Sequence, residues 1–439
     1  MTIILALIAG GVMQGQIATP GYGGPAVSSR GLRDAGARGG EPTNIRLYGT
    51  VRGVVDNGFI GVGLDQNGNI TDPGTLFGVE ANVGAYGTRE WKRSRLGLDY
   101  QGSVRHYTSK TYYDGSDHML SLDYGTQITR RTGAIFKIVA GTSTLPVGGV
   151  FSYGSLDPFF LGVPINDVFN NRSYFLEAMG AYTIQIGARN SLNVGGSGFA
   201  VRRQSKVLVG VNGQRAFSEF SRQVSRRTVV GVSYQYFHVD YPRVFGEADV
   251  NSVSVTLRRV LNRYWTFTVG AGGMKTDFAG VRQVTLDPVI QELLGQTTGR
   301  EAFNAVNYTP VIQVMIDRRS KHNGVSLIYS RGASPGNGVL LLSRMESATA
   351  GYTYNSGDRW SASATASYYK TSGFGGYSGT FATFGGGAMF NYRFWRDLNF
   401  SASVDVRRLN VTTSSFRRVG SRATAGITYS PGAIPVSFR

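Results

Sequence analysis

The chain has 439 residues, with 61 Gly, 24 Tyr, 24 Phe, 13 Pro and no Cys, and its 45 Lys and Arg against 27 Asp and Glu give a formal charge of +18. The absence of cysteine excludes disulfides, thiolate metal sites and Cys nucleophiles together. Mean hydropathy is −0.12, and past the extreme N-terminus no apolar run approaches the ~20 residues that a spanning helix needs, which excludes a helical membrane protein.

The first segment, "MTIILALIAGGVMQGQIATP", has an apolar core from Ile3 to Val12 followed by small and polar residues. Residues 1–18 are read as a signal peptide with a shortened start, because a basic first segment is missing; the cut is expected near Gly15 or Ala18. Residues 19–43, rich in Gly and Arg, have no sustained periodicity and are read as a flexible periplasmic tail.

From Asn44 to Arg439 one unit recurs: a strand with alternate apolar and polar residues. In "RLGLDYQGSV", Leu96, Leu98, Tyr100 and Val104 share one face and Arg95, Asp99, Gln101 and Ser103 the other. "MLSLDYGTQI", "RRTVVGVSYQYFHVDYP", "NSVSVTLRR" and "NFSASVDVRR" repeat the pattern. The connections alternate in length. Short ones are predicted at 89–93, 130–133, 188–191, 225–228, 259–263, 318–323, 355–359 and 395–398. Mostly longer ones lie between them, at 57–77, 107–118, 143–171, 202–211, 240–248, 275–305, 331–339, 371–380 and 410–421. This arrangement predicts a single transmembrane antiparallel up-and-down β-barrel of about 18 strands, with short periplasmic turns and long extracellular loops, in the bacterial outer membrane. The last strand is placed at Arg422 to Tyr429.

Trp91, Trp265, Trp360 and Trp395 all fall at short connections, where a girdle of amphipathic rings meets the membrane interface. Each short turn also carries an arginine, suited to lipid headgroups or to exposed turn carbonyls. Outer-membrane lipids and the barrel-insertion machinery are the partners this fold implies.

The polar faces place Arg95, Asp99, Arg105, Asp123, Lys137, Glu177, Arg258, Asp317, Arg393, Asp405 and Arg407 toward the lumen. Charge facing a wet channel is cheap, whereas Arg or Lys at mid-membrane on the lipid face costs ~2 to 4 kcal/mol. At least one of two loops is expected to fold over or into the barrel mouth as a constriction, the alternative being an external cap that packs loop against loop. One is "FSYGSLDPFFLGVPINDVFNN"; the other is "TLDPVIQELLGQTTG", read as a short helix capped by Asp287 and stopped at Gly295.

Catalytic, cofactor and metal sites are not predicted, and the chain is not read as an enzyme. His106, His118, His238 and His322 show no ligand-like spacing. His106 and His118 flank one loop beside Asp114 and Asp117, where a solvated polar loop is the simpler reading. A barrel hydrolase resting on His118 or His238 is the weakest alternative. The glycine-rich "GGSGFA" and "GAGGMK" lack the strand-to-helix context of a phosphate loop. No reader motif or basic helix supports nucleic-acid binding.

The stretch "RSRLGLDYQGSVRHYTSKTYYDGSDHMLSLDYGTQITRRTG", Arg93 to Gly133, resembles β-barrel porins encoded with exopolysaccharide export systems. That resemblance implies a channel for hydrophilic solutes, with polysaccharide or periplasmic export components as further partners. A structural or adhesive surface barrel with a loop-plugged lumen is the alternative.

Overall fold

In the computed structural model, the described residues are 43–59, 63–64, 70–71, 74–108, 114–144, 172–205, 208–285, 291, 296–336, 341–356, 359–374, 380–411, 416–431 and 434–436. The strands in chain order begin with β1 (Thr43–Asn57), β2 (Gly63–Leu64), β3 (Ile70–Thr71), β4 (Thr75–Glu90), β5 (Ser94–Tyr107), β6 (Gly115–Gln127) and β7 (Thr132–Ser143). They continue with β8 (Ser173–Gln185), β9 (Asn190–Arg203), β10 (Val211–Ser225), β11 (Thr228–Asp240), β12 (Gly246–Val260), β13 (Trp265–Thr285) and β14 (Thr298–Arg319). The remainder are β15 (Asn323–Ser334), β16 (Ser343–Asn355), β17 (Trp360–Gly373), β18 (Thr380–Arg393), β19 (Leu398–Val411), β20 (Phe416–Tyr429) and β21 (Ile434–Val436).

Apart from the small β2–β3 pair, consecutive strands bond antiparallel around one sheet, and β1 pairs with both β4 and β20. That last pairing, from Gly49↔Tyr429 to Asn57↔Ser421, closes eighteen long strands into a barrel and leaves no sheet edge at the seam. β21 lies beside the start of β1, with Thr43 opposite Val436, and so prolongs the last wall strand.

Alternation dictates the two surfaces. On the outer face Val51, Val83, Val104, Leu176, Val255 and Ile427 are exposed. Their neighbours Arg52, Asn82, Arg105, Phe175, Ser254 and Thr428 are buried inside. Backbone groups are satisfied between strands, so the exposed apolar band belongs in lipid, the architecture of an outer-membrane barrel.

Short turns gather at one end: residues 91–93, 128–131, 186–189, 226–227, 261–264, 320–322, 356–359 and 394–397. The tightest joins β10 to β11 through Arg226 and Arg227, with Ser225 opposite Thr228 and a bulge at Gln223/Ser225. The strand ends that the longer connections join lie at the other end.

Three expectations need correction. The stretch 275–305, read as a loop, is largely strand, since β13 continues to Thr285 and β14 starts at Thr298. Past the membrane band the outer face becomes polar, as at Lys275 and Asp277, and the apolar-out rhythm that marks a strand disappears. The last long strand begins at Phe416 rather than Arg422, for the same reason: Arg417 and Arg418 break the pattern. The stretch 202–211 is loop only from 204 to 210. The tail up to residue 42, the signal segment and the 151–171 loop lie outside the described residues, as does the 287–295 helix except at Gln291; Thr43, read as the end of the tail, opens β1.

Candidate functional site: the barrel interior

The inner wall begins as rows of hydroxyls. Thr50 and Thr428 are 2.9 Å apart, Ser233 and Ser254 2.6 Å, Ser330 and Ser347 2.6 Å, and Ser403 and Thr424 2.9 Å. Each pair joins neighbouring strands at mid-wall, so short polar side chains hydrogen-bond one another and leave the centre of the barrel to longer ones.

Glycine makes room for those longer side chains. A Cβ added at Gly195 would lie 2.6 Å from the Phe217 ring, which folds over it from the directly opposite position on the adjacent strand. Glycines at 97 and 387 likewise sit beneath the carboxyl groups of Asp123 and Asp405.

Charges cluster at the barrel seam. Glu80 on β4 forms ion pairs with Arg52 on β1 and Arg422 on β20, all three almost fully buried. One strand further, Arg105 on β5 pairs with Asp117 on β6 and donates to Thr144 Oγ1 at 2.6 Å. The Thr144 amide donates to Asp117 Oδ1 at 2.5 Å. Asp405 stands opposite Arg422, and Arg407 stacks on Phe59 at 5.1 Å. Arg52, Arg105, Arg407 and Arg422 thus face Asp56, Glu80, Asp117 and Asp405 in a patch of mixed sign.

The opposite wall is apolar toward the long-loop end. Met119, Val139, Phe175, Phe199, Val201, Val211, Phe237, Val239, Val250, Met274, Phe278 and Val311 form one buried cluster along the inner face from β6 to β14. Leu341, Leu342 and Phe374, from the connections that flank β16 and β17, pack into it. Tyr241 joins them and donates its hydroxyl to the Pro335 carbonyl at 3.1 Å, which ties two of these connections together.

Exposure along the inner face falls from one end to the other. Near the long loops, inward side chains such as Leu76, Tyr107, Val201, Val239, Phe278 and Ser343 are at 2% or less. Toward the short turns Asp99, Asp123, Lys137, Arg258 and Asp317 are half-buried, and Arg95 and Arg393 are exposed. Among the described residues the inner face is therefore more exposed toward the short turns and packed in its long-loop half.

All eleven charged residues singled out in the sequence lie on the inward alternation, but they do not form one group. Arg105, Asp405 and Arg407 belong to the seam patch, Glu177 stands between Val139 and Phe199 of the apolar cluster, and the other seven are spread around the short-turn half. Glu80, Arg52, Arg422 and Asp117 were missed. The strands of Arg52 and Glu80, "YGTVRGVVDN" and "FGVEANVGAYG", carry isolated charges among glycine and valine, and only the phase shared with Tyr48 and Asn82 marks Arg52 and Glu80 as inward.

The tryptophans stand at the short-turn rim. Trp91 and Trp395 lie in turns, and Trp265 and Trp360 open strands. Arg89 stacks on Trp91 at 5.0 Å, Arg318 on Trp265 at 5.7 Å, and Trp360 lies 4.8 Å from Tyr354. The histidines sit apart from the interior. His106 Nδ1 is 2.7 Å from Asp114, His118 Nδ1 is 3.1 Å from the Tyr100 hydroxyl, and His238 Nδ1 is 3.0 Å from Asp249. His322 Nδ1 bonds the Asn355 carbonyl at 2.9 Å, at the other rim.

No family model matches the sequence, and no curated protein matches it. Among solved structures the chain is similar to OccK2 (OpdF) of Pseudomonas aeruginosa, at 10% identity and a TM-score of 0.42 over 89% of this chain and 98% of that one. OpdQ of the same organism gives 10% identity and 0.42 over 89% and 97%. Its siderophore receptor PirA gives 12% and 0.39 over 90% and 81%. Scores of this size do not align one barrel wall with another residue by residue.

Proposed function

We propose that the chain is an outer-membrane channel for hydrophilic solutes, entered through a wide, charged periplasmic mouth and narrowed near the cell surface. The carrying observation is the exposure gradient on the inner face, from Arg95 and Arg393 in solvent to Val239 and Phe278 in a packed constriction. An eighteen-strand barrel is wide enough for water unless side chains or loops fill it. Among the described residues the filling is confined to the long-loop half. The wet half displays both signs of charge with hydroxyls between them, a lining that suits polar, hydrated solutes more than apolar ones.

The finer reading is that the solute is a polyhydroxyl chain leaving the cell, coupled to periplasmic export components. A mouth that widens toward the periplasm supports loading from that side. Deleting the gene should then lower surface polysaccharide without altering general permeability, whereas unchanged polysaccharide would leave only the general channel.

A second reading draws on the same constriction: a barrel closed by Leu341, Leu342 and Phe374 acts as a surface scaffold. Liposome swelling in sugars of graded size separates the two. The channel admits small sugars and rejects large ones; a scaffold barrel gives no swelling with any of them.

A further inference from the structure

Outside the barrel, at the short-turn rim, Trp91, Lys92, Arg93 and Ser94 of the β4–β5 turn and Tyr124 of β6 line a groove of about 680 Å³. The segment Arg89 to Arg95 contains four cations, Arg89, Lys92, Arg93 and Arg95, against one carboxylate, Glu90. Lys92 and Arg93 are exposed, and among the described residues neither is in an ion pair. The Arg89 guanidinium lies 5.0 Å from the centre of the Trp91 ring and holds it at the rim.

The strand register sets an apolar surface directly against this groove. Arg89, Leu96, Tyr124 and Phe136 are cross-strand neighbours on β4 to β7, and the next outward row is Gly87, Leu98, Leu122 and Ile138. Leu96, Tyr124, Phe136 and Ile138 are exposed on the lipid face. A ligand seated here meets cations and indole at the membrane boundary and an apolar strip one strand rise deeper. Those are the demands of a molecule with an anionic head and acyl chains.

We propose that this groove is a binding site for one anionic phospholipid of the inner leaflet, its phosphodiester between Lys92 and Arg93 and its acyl chains along Leu96, Leu98 and Ile138. The inference rests on the outer-membrane reading with short turns in the periplasm, since that orientation brings the groove to a phospholipid leaflet.

Native mass spectrometry of the full chain in detergent, titrated with phosphatidylglycerol, phosphatidylcholine or inorganic phosphate, tests it. One phosphatidylglycerol should bind well above the rest, phosphatidylcholine more weakly, and inorganic phosphate should not displace the lipid because it lacks the chains. Replacing both cations, Lys92→Ala with Arg93→Ala, should weaken phosphatidylglycerol roughly tenfold to thirtyfold. The same charge loss at another turn, Arg226→Ala with Arg227→Ala, should leave the tight site intact. Equal binding of the two lipids, displacement by phosphate, or equal weakening in both double variants overturns the proposal. Heat-dependent mobility on gels reports separately whether each variant is a folded barrel. A barrel that folds and conducts yet shows no preferred lipid rejects the groove and leaves the channel reading standing.

Discussion

Arg422 and Glu80 are ion-paired across an intervening strand: β20 and β4 both flank β1, and the pair reaches over it on the inside of the barrel. Arg52 of β1 completes the contact with the other carboxylate oxygen. A carboxylate held between two guanidinium groups thus ties β4 and the last long strand, β20, to β1 between them. Removing one partner of such a buried pair leaves charge without compensation and costs about 3 to 5 kcal/mol. Glu80→Ala should therefore lower the temperature at which the barrel loses its compact gel mobility, more than a rim change such as Arg130→Ala. Replacing Glu80, Arg52 and Arg422 together by apolar residues should recover much of the loss, because no lone charge remains.

The inner wall can be mapped with thiols, because the natural chain contains none. In proteoliposomes a charged, membrane-impermeant thiol reagent should modify Asp99→Cys and Lys137→Cys quickly. It should react slowly with Val239→Cys in the packed half, and not with Val104→Cys on the lipid face. Fast reaction at Val239→Cys would mean that the long-loop half is open.

Gly195 and Phe217 form a fitted pair in the wall. Gly195→Val drives a side chain against both the Gly180 carbonyl oxygen at 2.5 Å and the ring at 2.6 Å, an overpacking strain of about 1 to 3 kcal/mol. The variant should unfold at lower denaturant, and adding Phe217→Ala should restore part of the difference. An additive double variant would show that the two positions do not press on one another.

The β5–β6 loop contains a group that responds to acid. Asp114, just outside the strands, is partly buried, which raises its pKa, but the Tyr107 amide at 2.7 Å and His106 at 2.7 Å more than offset this and hold it below the ordinary carboxylate value. A group with a lowered folded pKa stabilises above its unfolded pKa and loses that effect as pH falls through the folded one. The loop should therefore resist proteolysis at neutral pH and become more susceptible below the ordinary carboxylate range. Asp114→Asn should be susceptible at both. Equal protection of the variant at neutral pH would dissociate Asp114 from the loop's order.

Much of this architecture is legible in the sequence for a simple reason. Period-two alternation assigns each side chain to lipid or lumen without any knowledge of its partners, and the inequality of turns and loops orients the strands. Arg105, Asp405 and Arg407 could be placed inward on phase alone. Their grouping with Glu80, Arg52 and Arg422 could not, because a contact between positions 342 residues apart depends on barrel closure and cross-strand register, which alternation leaves open. The constriction was hidden for a different reason. Leu341, Leu342 and Phe374 sit in connections, where apolar residues have no period, and the loops that looked most apolar in sequence, 151–171 and 286–295, fall outside the described residues apart from Gln291. The strands that overrun the membrane, β13 and β14, lose the apolar outer face that would reveal them.

The central claim is a continuous lumen with its narrowest part at the apolar cluster. Single-channel recording in planar bilayers tests it on the natural chain and on Leu342→Ala with Phe374→Ala, which removes bulk from a hydrophobic constriction without touching the charged wall. Discrete openings in the natural chain, and a conductance about twofold or more higher in the widened variant, are the predicted result. A folded, inserted barrel that shows no openings in either form would contradict the channel and leave a closed scaffold.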